Sequence, residues 1–244
     1  MSPALAADLP QAAPPPPRAP ATYIPVAPPP FTWTGFYIGA NGGWGWSKTD
    51  QTDAGPGIFG AVFPAGSTTS FSQNGWLAGG QIGFNYQINA LVLGAEADFD
   101  ASGIKVSQSV PAVPPSTLAS NLSYKNDWMS TFAARFGVAA DRALLYGKAG
   151  GAWTRDNYNA TATDGSSATG IFDRWGWMLG AGIEIALTDN VTFKTEYNYL
   201  NFGTTNETLT FNSVDLVTGT IAADPNKAKL SINVVKAGIN VLFH

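Results

Sequence analysis

The residues best able to do chemistry in this 244-residue chain are charges set among apolar and small neighbours. Glu96, Asp98, Glu184 and Glu196 are the carboxylates of that kind, and Arg135, Lys148, Lys194 and Lys236 are the cations. A pair such as Glu96 and Asp98 is the raw material of general acid–base catalysis. Neighbouring carboxylates on one strand are more simply counter-ions for lysines. His244 is the sole histidine and the last residue, which excludes Ser-His or Cys-His nucleophilic chemistry in its usual form. Without cysteine there is no thiolate metal site, thiol nucleophile or disulfide. Asp50, Asp53, Asp164, Asp215 and Asp224 do not reproduce the spacing of a calcium loop. The glycine clusters at Gly39–Gly43, Gly79–Gly83 and Gly147–Gly151 match no phosphate or dinucleotide fingerprint. No catalytic residue, metal site or cofactor is expected.

What kind of element holds such charges follows from composition. Hydrophobic residues make up 45% of the chain and charged residues only 12%, too few to cover an ordinary soluble surface. No run approaches the roughly 18 apolar residues of a spanning helix. The 27 glycines and 12% aromatics favour strands over helices. A membrane protein that crosses with strands must be a closed barrel, because lipid satisfies no backbone hydrogen bonds. The formal charge of −4 leaves no basic footprint for nucleic acid.

From Phe31 onward, apolar residues alternate with small or polar ones in segments of about 10 to 14, the length of a tilted spanning strand. The alternation predicts strands over 35–46, 74–86, 91–104, 123–138, 144–157, 174–186, 191–203 and 230–243. Tight turns are expected at Gln87–Ala90, Ala139–Ala143 and Leu187–Asn190, which are rich in Asn and Asp. Long polar loops are expected near 47–73, 105–122, 158–173 and 204–229. Short turns on one side and long loops on the other define an eight-stranded antiparallel transmembrane barrel, with turns and both termini periplasmic.

Aromatic height tests this threading independently. Trp44, Trp46, Trp76, Trp128, Trp153, Trp175 and Trp177 fall at loop-side strand ends, joined by Tyr197 and Tyr199. Phe36, Phe84, Tyr86, Phe136, Phe193 and Phe243 fall at turn-side ends. These are the two aromatic belts of a membrane barrel. Trp33 alone lies outside, before the first strand. Alternation then separates two faces, as in Val191, Phe193, Thr195 and Tyr197 against Thr192, Lys194 and Glu196. The charged set must face inward, since a charge at the midplane of the lipid face costs roughly 2–4 kcal/mol. Eight strands leave an interior that side chains fill. The inward charges, four of each sign, therefore predict a lumen braced by ion pairs: Glu96, Asp98, Glu184 and Glu196 with Arg135, Lys148, Lys194 and Lys236. A narrow porin-like channel for ions or small hydrophilic solutes is the alternative.

Residues 1–30 read differently. Ala4–Pro10 resembles the small-residue end of a secretory signal, with cleavage expected after Ala6. Pro14–Pro17 and Pro28–Pro30 mark an extended polyproline linker, expected in the periplasm. Residues 31–244 are the expected barrel.

FTWTGFYIGANGGWGW at Phe31–Trp46 resembles the opening strand of the small outer-membrane surface proteins of alpha-proteobacteria, of porin or opacity type. GWLAGGQIGFNYQI, LVLGAEADF, LLYGKAGGAW, WGWMLGAGIEIAL and VTFKTEYNYLNFG are similar to later strands of that family. The resemblance implies an integral outer-membrane barrel of a Gram-negative bacterium with surface-exposed loops and roles in envelope integrity. It implies no catalytic residue. Such barrels end on an aromatic residue, whereas here His244 follows Phe243. Expected partners are outer-membrane lipid and lipopolysaccharide, with cell wall or envelope proteins reached through the Pro-rich segment or the loops.

Overall fold

The computed structural model describes residues 30–52, 68–110, 120–162, 167–206, 209–212, 219–221 and 227–244. All of these but residue 30 belong to one unit, Phe31–His244. The signal-like stretch, the Pro-rich segment and parts of every predicted loop lie outside the described residues.

The described residues form strands β1 (Gly35–Thr52), β2 (Thr68–Ile88), β3 (Leu91–Ser102), β4 (Lys105–Val110), β5 (Ser120–Ala140) and β6 (Ala143–Ala162). After them come β7 (Ser167–Ala186), β8 (Val191–Asn206), β9 (Leu209–Asn212), β10 (Gly219–Ile221) and β11 (Lys227–Phe243). Every pairing is antiparallel, and the order β7-β6-β5-β3-β2-β1-β11-β8 closes through β7–β8. Closure removes the sheet edges that lipid would leave unsatisfied. The result is the expected eight-stranded barrel. β4 prolongs β3 past a break at Gly103–Ile104, where Asn126 N donates to Ile104 O at 2.9 Å.

On the loop side the strands run further than alternation predicted. β6 continues to Ala162 rather than 157, and β7 starts at Ser167 rather than 174. β1 and β2 remain paired out to Thr52↔Thr68. β9 and β10 form a small hairpin within the predicted loop 204–229, and β9 pairs with the start of β7. Two turns are tighter than predicted. β2 and β3 are joined by Asn89 and Ala90 alone, with Asn89 at φ 55. β5 and β6 are joined by Asp141 and Arg142, with Asp141 at φ 52. Asn and Asp tolerate that left-handed backbone better than other non-glycine residues.

Candidate functional site

Inward parity brings one side chain in two from every strand into the barrel. β3 delivers Glu96, Asp98 and Asp100, β5 Thr131 and Arg135, β6 Tyr146 and Lys148, and β7 Glu184. β8 adds Thr192, Lys194, Glu196 and Asn198, and β11 adds Lys236 and Asn240. All of these are buried, Lys194 and Asn240 completely.

Glu96 is the hub of the layer. Its carboxylate lies 2.7 Å from Lys148 Nζ, 3.0 Å from Lys194 Nζ and 3.7 Å from Arg135 Nη1. It also accepts a hydrogen bond from Tyr37 Oη at 2.7 Å. Lys148 reaches Glu196 at 3.0 Å and Asp98 at 3.5 Å, and Lys194 reaches Glu196 at 3.4 Å. Arg135 pairs with Glu184 and lies over the Tyr146 ring, 3.7 Å from its centroid. Lys236 spans Asp98 at 3.4 Å and Asp100 at 2.5 Å. Amides complete the disc. Asn240 donates to Glu184 at 2.8 Å, Gln81 to Asn240 at 2.7 Å, and Asn41 to Gln81 at 2.7 Å. Burial makes an unpaired charge very costly, and here each of the eight predicted charges has at least one partner of opposite sign.

Two tyrosines unmarked by the sequence reading clamp the layer. Tyr146 Oη donates to Glu196 at 2.9 Å and lies over Gly182, where a Cβ would come within 2.6 Å of that oxygen. Tyr37 lies over Gly83 in the same way. Glycine at these inward positions makes room for a ring laid across the neighbouring strand.

Apolar clusters flank the charges on both sides. Leu77, Ile104, Met129, Met178, Leu200 and Phe202 belong to the loop-side cluster. Trp33, Tyr37, Val92, Leu144, Ala186 and Leu242 belong to the turn-side one. Trp33, outside the predicted strands, is fully buried there. Its backbone N donates to Gln87 Oε1 at 2.8 Å and its Nε1 to Asp141 O at 3.2 Å. Beyond the loop-side cluster is a second buried pair, Arg174 Nε to Asp156 Oδ2 at 3.2 Å, with Asn126 donating to Asp156 at 2.8 Å.

The outward face carries the aromatics. Phe99, Trp128, Trp153 and Trp175 form a ladder across β3, β5, β6 and β7, with successive ring centroids 5.6, 5.0 and 4.9 Å apart. Trp44 pairs in register with Trp76, Trp46 faces Tyr197 at 6.5 Å, and Trp177 faces Tyr199 at 5.5 Å. At the other end Phe36 and Phe84 are 4.7 Å apart, and Tyr86, Phe136, Phe193 and Phe243 are exposed at the same side. Above the tryptophans, Arg155 binds Asp173 through two hydrogen bonds of 2.8 and 3.0 Å, which hold the exposed Asp173 carboxyl below its usual range.

Carboxylate oxygens of Glu96, Asp98 and Glu196 lie within 4.8 Å of one another, close enough to hold a metal ion. Lys148 Nζ, within 3.5 Å of all three, already takes the place of that cation. The cluster is thus an internally neutralised one.

A model of the outer membrane protein beta-barrel domain family matches residues 25–221. The chain belongs to this family. As an outer-membrane β-barrel protein it is integral to that membrane, crossing it with strands. The 31 kDa outer-membrane immunogenic protein of Brucella melitensis is 32% identical over 225 residues, covering 87% of this chain and 85% of the relative. The 22 kDa outer membrane protein of Rhizobium leguminosarum bv. viciae is 28% identical, covering 83% and 78%. Both relatives are alpha-proteobacterial, the group whose small barrels the opening strand resembles. Among solved structures, the outer membrane protease OmpT of Escherichia coli superimposes with a TM-score of 0.55 at 10% identity. That likeness covers 89% of this chain and 99% of OmpT and is one of fold alone.

Proposed function

We propose that this outer-membrane β-barrel protein is a non-catalytic structural and surface protein whose lumen is closed. The observation that carries the reading is the sandwich inside the barrel: a layer of paired charges between two apolar clusters, with side chains buried throughout. A hydrated ion entering this interior would have to displace Trp33 or the loop-side cluster and then separate pairs such as Arg135–Glu184. No inward group is a histidine or cysteine, and each carboxylate of the layer is engaged by a cation, an arrangement unlike a poised acid or base. The tryptophan and phenylalanine belts mark the two membrane interfaces, with the turns and termini on the periplasmic side. The loop-side sheets then stand at the cell surface. The immunogenic character named for the Brucella relatives agrees with such display.

Planar-bilayer recording of the refolded protein, with its folded state checked by heat-dependent gel mobility, tests the reading. Silence from a folded barrel is the expected outcome. Reproducible conductance steps that change selectivity when Glu96 or Lys194 is neutralised would establish the channel instead. One feature gives that alternative its sign. Asp100 joins Glu96, Asp98, Glu184 and Glu196 against four cations, so a conducting lumen would favour cations.

A further inference from the structure

The charges buried in the barrel are paired, yet among the described residues they do not cancel. Asp100 is the fifth carboxylate of a layer with four cations, and the other buried pair, Arg174–Asp156, is balanced in itself. One negative charge is therefore left over, in surroundings where an uncompensated charge is very costly.

Two bare oxygens show where the surplus sits. Asp100 Oδ2 lies 2.5 Å from Lys236 Nζ, a cation that it shares with Asp98. Its other oxygen, Oδ1, has no hydrogen-bond partner among the described residues, although Asp100 is only 1% exposed. Asn41 Oδ1, in a side chain 8% exposed, has none either. The amide chain explains why Asn41 cannot turn to help. Glu184 accepts from Asn240, whose oxygen accepts from Gln81, whose oxygen accepts from Asn41. The carboxylate can only accept, so it sets the direction of every donor behind it, and the chain ends on a bare oxygen. Flipping Asn41 would break its bond to Gln81.

The two oxygens belong to one place. Asn41, Gly79 and Asp100 are in register on β1, β2 and β3 and form a lateral row on the inward face. Gly79 has no side chain, and Asp100 Oδ1 leans into the place that its Cβ would take. Asn41 reaches the Asp100 carboxyl from the opposite side.

We propose that the space over Gly79 holds one monovalent metal cation of sodium size, with Asp100 Oδ1 and Asn41 Oδ1 among its ligands. Carboxylate and amide oxygens suit a hard cation. A surplus of one charge selects a monovalent ion, because a divalent one would leave an excess beside Lys236. The ion is taken up as the barrel closes and ties the end of the amide chain to β3. The inference is separate from the question of conduction, since melting reads a bound ion whether or not the lumen is open.

The test melts the refolded full chain in sodium chloride and in N-methylglucamine chloride, at equal ionic strength and fixed pH. Heat-dependent gel mobility is the readout. Sodium is expected to raise the melting temperature by several degrees, with the saturation of a single site. D100N removes the surplus charge and should melt alike in both salts, whereas the rim variant D173N should keep the increment. Equal melting of the wild type in both salts would overturn the proposal, as would a sodium increment that survives in D100N. A proton in place of the metal also overturns it: melting of the wild type would then rise with acid and ignore sodium. Should D100N fail to fold, the wild type decides, because a sodium increment that grows without saturating marks general screening and rejects the site.

Discussion

Lysines inside the barrel and lysines on its loop-side rim obey opposite rules. Lys148 is buried against three carboxylates, whereas Lys105 is exposed and sits opposite another lysine. The interior offers no water to solvate an unmatched charge, so every cation there is answered by geometry. The rim is wet and screened, so mismatch is tolerated at small cost. Charge inside thus braces the barrel, whereas a mismatch outside is left to water and salt to screen.

The largest effect should come from breaking the hub. Glu96→Gln leaves Lys148, Lys194 and Arg135 short of a shared counter-charge and should cost about 3–5 kcal/mol in urea unfolding of the refolded barrel. A loss below about 1 kcal/mol would mean that the layer is hydrated and not closed. Trp33→Ala tests the turn-side cluster without touching a charge. A buried tryptophan truncated to alanine costs roughly 3–5 kcal/mol. A neutral outcome would show that the segment before β1 does not contribute to the barrel's stability.

Smaller effects belong to the rim. In plain phosphatidylcholine, Lys105→Gln relieves the repulsion from Lys125 and should stabilise the barrel by roughly 0.2–1 kcal/mol. Smallest is the pH response of Asp173. Its folded carboxyl is held below the unfolded one by Arg155, so its contribution is present above the unfolded value and is lost as pH falls through the folded one. Asp173→Asn should remove a slight acid-side decline in stability that is visible only at low salt, the pair being exposed.

Within the membrane, the fold was legible because lipid imposes a rule on every other residue. Phe193, Tyr197, Val235 and Phe243 had to face out, which sent Lys194, Glu196 and Lys236 inward. Above the tryptophans that rule lapses, since both faces of a strand meet polar surroundings. The alternation in 158–162 and 167–173 accordingly looks like loop, and although Asp156 and Arg174 fall within predicted strands, neither stands in the predicted inward set, so their pair is not anticipated. Asp100 shares the inward parity of Glu96 and Asp98 on β3 and is buried with them, although it is absent from the predicted set of four carboxylates. Tyr37 and Tyr146 gave no signal of their own, as an inward tyrosine is recognisable only beside the glycine across the strand that admits it. Trp33 precedes the first strand, and its burial depends on contacts with Gln87 and Asp141, far away in sequence.

The closed lumen can be probed most directly by chemistry at its centre. The chain has no cysteine, so Thr131→Cys puts a single thiol in the charge layer, where Thr131 donates to Asp98 at 3.1 Å. Ser107→Cys puts a comparison thiol on the exposed part of β4. With both variants showing the folded gel band, a small charged methanethiosulfonate should label Cys at 107 rapidly and Cys at 131 only after heat unfolding. Rapid labelling at 131 in the folded barrel would contradict the account and mean that water and ions reach the charge layer.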